Sequence, residues 1–357
     1  LAEAGLDALA LNAGPSLVYL TGMHFHLMER PVIGLFTPDK TPVLVMAQLE
    51  IGKTHNLGYD LEVCTYGEDP SMWSRAFAEG VQKAGLSGGE IGIEYNQCRV
   101  LEESMLQTVL PEATFANAED TVAALRMYKD AAELAAMRKA AEIAEAALEA
   151  TKPLIKVGVT ERQIASELVG QLLRHGSDPD LPFFPIVSGG PENSANPHAV
   201  PTDRALQAGD LLVIDYGANY EGYLSDITRT FAIGEISAEL QKIYETVKQA
   251  NAAGRAKVAP GVAAGEVDAA ARAVIDAAGY GEYFFHRTGH GLGMEGHEPP
   301  YIRGDNQRVL QPGMTFTVEP GIYITGLGGV RIEDDVAVAA DGCDTLTTLP
   351  RELETLG

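Results

Sequence analysis

The chain is short of positive charge: 26 Lys and Arg stand against 50 Asp and Glu, a formal net charge of −24. Nucleic acid and anionic membrane surfaces are bound through clustered Lys and Arg, so this balance argues against both as partners. No run of 18 or more apolar residues occurs, which excludes a membrane-spanning helix of ordinary length. Three cysteines, Cys64, Cys98 and Cys343, are odd in number and far apart. They suit neither a disulfide framework nor a paired zinc motif. The first residues, Leu1-Ala-Glu-Ala-Gly-Leu, have neither a basic n-region nor an apolar h-region. A reducing cytoplasm is the expectation. What is present is ordinary for a globular protein: 357 residues, 46% hydrophobic, enough for a sizeable core in two ordinary domains or one unusually large one.

The first third reads as an α/β domain. Strand-like runs at 6–11, 32–36, 42–46, 61–65 and 90–94 alternate with helical stretches. Pro15 near the start and Gly22 at the end bound one short helix, and Trp73, Phe77 and Val81 mark one face of another. His24 and His26 are expected on one strand face. Nothing in residues 1–120 announces chemistry.

The grammar changes near Leu125, which divides the chain into 1–124 and 125–357. Asp130 with Glu133, and Thr160 with Gln163, read as capping boxes opening two helices, the second ending at His175-Gly176. Helix, Gly-Val turn and helix then return about a hundred residues later, around Pro260-Gly-Val262. Each copy leads to a strand hairpin, so an internal repeat is expected.

Those hairpins carry the unusual residues. In the first, Leu211-Leu-Val-Ile-Asp215 and Asp226-Ile-Thr-Arg-Thr-Phe231 flank a turn, and pairing centred on Tyr220-Glu221 sets Asp215 opposite Asp226. In the second, pairing centred on Gly326 sets Glu319 opposite Glu333. Like charges directly opposed in apolar strands are destabilising. Four converging carboxylates therefore call for roughly four positive charges, which two divalent cations supply. Between the hairpins, His286-Arg-Thr-Gly-His290-Gly-Leu-Gly-Met-Glu-Gly-His297 offers imidazoles, and His198 sits on a separate loop. Gly291-x-Gly293-x-x-Gly296 matches a dinucleotide fingerprint only literally, because His-Glu-Pro-Pro cannot open the helix that motif requires.

Together, Asp215 and Asp226 in an Asp-x10-Asp frame, Gly-His290-Gly, Val-Glu319-Pro-Gly and Arg331-Ile-Glu333-Asp resemble the prolidase and aminopeptidase P branch of the pita-bread metallopeptidases. The resemblance covers essentially the whole chain. It implies a creatinase-like α/β N-terminal domain, then an α+β pita-bread catalytic domain with an internal pseudo-twofold repeat. It also implies metal ligands at Asp215, Asp226, His290, Glu319 and Glu333, with Asp226 and Glu333 bridging two divalent ions (Mn, Co or Zn). Glu319 would relay a proton, and His198 and His297 would contact the scissile carbonyl. Arg331 and Thr228 would orient ligands, with Tyr301 and Arg303 beside the substrate. The implied activity is cleavage between an N-terminal residue and a following proline, as an Xaa-Pro dipeptidase. The alternatives are an Xaa-Pro aminopeptidase acting on longer peptides and, more remotely, a non-catalytic binding protein. Relatives of this kind are commonly homodimers.

Overall fold

The computed structural model describes residues 1–357, and internal contacts divide the chain into Leu1–Arg126 and Met127–Gly357. In the first unit the elements run β1 (Ala8–Asn12), α1 (Pro15–Thr21), β2 (Ile33–Phe36), β3 (Val43–Ala47), β4 (Glu62–Tyr66), α2 (Trp73–Ala84), β5 (Gly89–Ile93), α3 (Val100–Val109), β6 (Ala113–Asn117) and α4 (Glu119–Arg126). They build one mixed sheet in the order β4-β3-β2-β1-β5-β6. Gly22 closes α1 at φ 70°, the left-handed conformation that glycine adopts without strain. Trp73, Phe77 and Val81 are all buried on the sheet, each worth about 1.5–3 kcal/mol of apolar transfer. One expectation is corrected. His24 and His26 lie on an exposed irregular segment and share no strand face, because the chain leaves α1 at Gly22 and regains a ladder only at Ile33.

The second unit begins with α5 (Ala131–Thr151) and α6 (Glu161–Arg174), both opened by the expected capping boxes. Then come β7 (Ile186–Gly189), a single turn α7 (Gly190–Asn193), β8 (Leu211–Tyr216), β9 (Asn219–Tyr220), β10 (Tyr223–Leu224) and β11 (Ile227–Ile233). The second helix pair is α8 (Ala238–Lys257) and α9 (Ala264–Ala277). It is followed by β12 (Gly289–Gly291), β13 (Glu298–Ile302), β14 (Thr315–Val318), β15 (Gly321–Ile324), β16 (Gly328–Arg331), β17 (Asp334–Ala339), β18 (Gly342–Thr345) and β19 (Thr355–Leu356). Strand β13, not a helix, follows the glycines of 289–296.

The repeat is visible in detail. Gly158 (φ 89°) precedes α6 and Gly261 (φ 87°) precedes α9, and Thr160 and Ala263 at the two helix starts each form an isolated bridge, to Ala205 and Val309. The first half supplies the sheet β19-β11-β8-β7, and the second supplies β13-β12-β14-β17-β18. Helices α5 and α6 pack their apolar faces against the first sheet, where Leu148, Leu168, Leu212 and Phe231 share one core. No helix is long and apolar enough to cross a membrane.

Candidate metal centre

The first hairpin does not pair in the expected register. Thr228, not Asp226, lies opposite Asp215, and Tyr223 lies opposite Tyr220. The turn therefore falls on Glu221-Gly222, with φ 52° and 82°. A type I′ two-residue loop needs positive φ at both positions, and glycine meets that at the second without strain; centring on Tyr220-Glu221 would put tyrosine at the first and glutamate at the second. The shift is by two residues, so the alternation of faces is kept. Asp215 and Asp226 still point to the same side, as diagonal neighbours.

The second hairpin has the expected register. It consists of two ladders in phase, Gly321↔Arg331 to Ile324↔Gly328 and Thr315↔Ala337 to Val318↔Asp334, interrupted at Glu319-Pro320 and Ile332-Glu333. Proline cannot donate to a ladder, so Pro320 makes the gap in which the two glutamates sit. Asn251 of α8 spans that gap, donating from Nδ2 to Val318 O (2.9 Å) and Ile332 O (3.2 Å).

The hairpins are stitched together directly. Glu333 N–H donates to Thr228 O (3.1 Å), and Thr230 Oγ1 donates to Arg331 O (2.9 Å). Arg229 donates to Glu333 O (2.6 Å) and to the Asp334 carboxylate (2.8 Å). Asp226, His290 and Glu333 are thereby brought together, with donor atoms all within 4.8 Å of one another. Glycine on each side of His290 lets the neighbouring strands approach closely: a Cβ at Gly289 would lie 1.8 Å from Thr317 O, and one at Gly291 would lie 2.2 Å from Glu298 O. His290 Nδ1 faces Gly291 O at 3.1 Å and must donate there. Its Nε2 lone pair then faces Glu319 Oε1 (3.3 Å) and Asp226 Oδ2 (3.7 Å). A lone pair aimed at carboxylate oxygens is repulsive unless a cation or a proton lies between them.

The electrostatics agree. Burial first, then Glu333 and Asp215, pushes Asp226 well above the ordinary carboxylate range. Burial and Glu319 do the same to Glu333. Glu319 is pushed up to about 7 by burial, despite the opposing Arg331. Burial holds His290 well below its usual value. Buried Asp215 Oδ1 and Asp226 Oδ1 have no hydrogen-bond partner. Four carboxylates, one imidazole and two orphaned oxygens are a donor set that divalent cations fit.

The remaining expected residues divide. Thr228 Oγ1 donates to Glu333 Oε2 (2.5 Å) and accepts from Arg331 Nε (3.1 Å). Arg331 also bonds Asp215, Pro197 O (3.3 Å) and the Tyr323 hydroxyl (2.8 Å). Both therefore orient carboxylates. His198 and His297 line a cavity of about 950 Å3 whose floor is the carboxylate cluster and whose walls include Pro182, Phe183 and Phe285. Arg303 reaches the cavity but is exposed and tied to Asp305 at 2.8 Å. Tyr301 does not line it; its ring lies under the Arg287 guanidinium.

Four residues have roles that the sequence reading did not assign. His286 Nε2 meets the Tyr323 hydroxyl (3.1 Å), and burial lowers His286 to about 4, so a neutral imidazole extends the chain from Arg331 and Tyr323. Asp335, buried and raised well above its usual range by desolvation, accepts the Asp226 N–H (3.0 Å). Arg287 bonds His297 Nδ1 (3.2 Å). Of these, His286, in the histidine-rich segment, and Asp335, a third acid directly after Glu333-Asp334, gave a sequence signal.

Comparison with known proteins agrees with this geometry. The metallopeptidase family M24 profile matches residues 135–340, and the creatinase/prolidase N-terminal domain profile matches 1–128. The chain belongs to metallopeptidase family M24. It is 36% identical to an Xaa-Pro dipeptidase of Lactobacillus delbrueckii subsp. lactis, covering 100% of this chain and 96% of that one. A dipeptidase structure from Pyrococcus horikoshii OT3 superposes with a TM-score of 0.93 at 39% identity, over 100% of this M24 chain and 98% of the other. A recombinant prolidase structure from Thermococcus sibiricus also gives 0.93, at 35% identity, over 99% and 96%. The pita-bread fold with a creatinase-like N-terminal domain is thus the fold of this M24 member.

Proposed function

We propose that this M24 protein is an Xaa-Pro dipeptidase, with Asp215, Asp226, His290, Glu319 and Glu333 holding two divalent cations (Mn, Co or Zn). The observation that carries the reading is the buried group of Asp226, His290 and Glu333 within 4.8 Å, beside carboxylate oxygens that lack any partner. Bound cations would lower the pKa of water and polarise the scissile carbonyl. The chain's own residues do the rest. Glu319, whose burial favours the protonated carboxyl, is the group placed to take up a proton and return it to the departing proline nitrogen. His297 accepts from Arg287 at Nδ1, so its hydrogen sits on Nε2, available with His198 to donate to the developing oxyanion. Arg331 and Thr228 hold Asp215 and Glu333 in place. The carboxylate-lined end of the cavity beside Asp215 receives the substrate's α-ammonium. The proline ring suits a cavity walled by Pro182, Phe183 and Phe285.

The finer features belong to the same reading: a cytoplasmic enzyme, supported by three unpaired cysteines, and a homodimer, supported by exposed Leu27 and Met28 beside His24 and His26. The second reading is an Xaa-Pro aminopeptidase, favoured by the exposed Arg303, which is held by Asp305. Proline release from Xaa-Pro dipeptides and Xaa-Pro-Yaa tripeptides, with Mn2+ and with EDTA, tests both. Metal-dependent cleavage of dipeptides is expected. Better cleavage of tripeptides makes it an aminopeptidase, metal-independent cleavage refutes the metal centre, and absent cleavage refutes the hydrolase reading.

A further inference from the structure

Helix α6 opens on a glutamate that lies outside the cavity. Glu161 is its first residue, where the helix dipole favours a carboxylate, and it is completely buried. A buried carboxylate is costly unless its oxygens are hydrogen-bonded, and four donor groups meet this one. Gly189 N–H (2.7 Å) and Asn193 Nδ2 (2.9 Å) donate to Oε1, while Thr202 N–H (2.9 Å) and Thr202 Oγ1 (2.6 Å) donate to Oε2. The donors stand at the two ends of one segment. Gly189 closes β7, and Thr202 follows shortly after His198.

We infer that Glu161 is a positioning residue for His198, a role that rests on the Xaa-Pro dipeptidase reading in which His198 meets the developing oxyanion. Pro197 and His198, both between Gly189 and Thr202, line the cavity. His198 is exposed, and it bonds through its backbone N–H, to Asn196 Oδ1 (3.2 Å). Its ring is therefore placed by the path of the backbone. The middle of the segment is pinned to the second hairpin, where Gly329 N–H donates to Ser194 Oγ (2.9 Å) and Arg331 Nη1 to Pro197 O (3.3 Å). Beyond Pro197 the next anchor is Thr202, the residue that Glu161 holds. Arg162 N–H also donates to Thr202 O (3.0 Å), and Glu161 N–H to Arg204 O (3.1 Å), so this end is laced to the start of α6. A carboxylate suits the place because every group facing it is a donor. One buried side chain thus ties both ends of the segment that presents His198.

The test is a double-mutant cycle on Ala-Pro hydrolysis by the Mn2+-loaded full chain, with Glu161→Gln, His198→Ala and the pair, each checked for folding by circular dichroism. Glutamine keeps the shape but turns an amide N–H2 towards N–H and O–H donors. Glu161→Gln should lower kcat about 10–100-fold, the order of loss for a catalytic group displaced by about 1 Å. KM and Mn2+ affinity should stay within about twofold of wild type. In the His198→Ala background the same substitution should cost no more than about twofold, because the ring it places is gone. Thr202→Val takes one donor from the carboxylate and should lower kcat about three- to tenfold, an effect that should also vanish in that background. It carries the test if Glu161→Gln does not fold. Losses that add to that of His198→Ala overturn the positioning role, as does a wild-type kcat in both variants or a matching fall in Mn2+ affinity. Each of these leaves the Xaa-Pro reading standing. His198→Ala without loss overturns the role together with the oxyanion contact, and a wild type that cleaves no Xaa-Pro substrate overturns both the role and the reading.

Discussion

Glu319 offers a test of the centre that needs no substrate. In metal-stripped protein its carboxyl is pushed from 4.5 to about 7 by burial. The folded state therefore holds a proton that the unfolded chain has released, between pH 4.5 and about 7. A raised carboxyl makes its stabilising contribution fully below the unfolded pKa and loses it as pH rises through the folded one. About 2.5 units at 1.36 kcal/mol each is roughly 3 kcal/mol lost across that window. For a unit of this size that is about 6–12 °C in Tm. Asp226, Glu333 and Asp335 are raised as well and add to the same slope. The lowered His286 and His290 act oppositely, because they take up protons on unfolding as pH falls. Glu319→Gln leaves these other groups in place and removes one titration. Calorimetry of EDTA-treated wild type and variant from pH 5 to 8 should show the wild type losing about 3 kcal/mol more than the variant as pH rises. Equal slopes would refute the claim that Glu319 carries the proton. With Mn2+ present the sign should reverse, since protons compete with the metal for the same oxygens.

Two further outcomes follow from the packing around the site. Thr228→Val removes the hydroxyl linking Glu333 to Arg331 and should cost about 10–100-fold in metal affinity and kcat/KM, while Thr228→Ser should stay near wild type; metal titration followed by kinetics reads both, and an unaffected valine variant would deny the orienting role. Asp334 is buried, which raises its carboxyl, but Arg229, Arg351 and Arg255 outweigh that and hold it well below the usual range. Asp334→Asn leaves those guanidiniums without their anion and should destabilise the fold by about 3–5 kcal/mol in urea unfolding; a loss below about 1 kcal/mol would mean the network is dispensable.

Much of this protein was legible where a local rule decides the outcome. Helices α5 and α6 start where capping boxes put them, because those hydrogen bonds span only three residues. Glu319 and Glu333 face each other as read, since the glycines around Gly326 leave one place for the turn. The first hairpin was misread by two residues because Tyr220-Glu221 and Glu221-Gly222 differ only in backbone strain. Helix α3 went unread: its Glu102 is fully buried beside Arg99, so the apolar stripe that announces a helix is broken.

The order of residues alone determined which chemistry is present. Four acids sit in or beside apolar strands and one histidine sits between two glycines, and that set can be charged all at once only with cations among it. Only the tertiary structure decided how the set is assembled. It ties Thr228 and Arg229 of one hairpin to Glu333 and Asp334 of the other, more than a hundred residues away. It also lays Arg287 on Tyr301 and against His297. Contacts of that kind depend on where two independently formed hairpins meet, and no periodicity or spacing within either one encodes that distance.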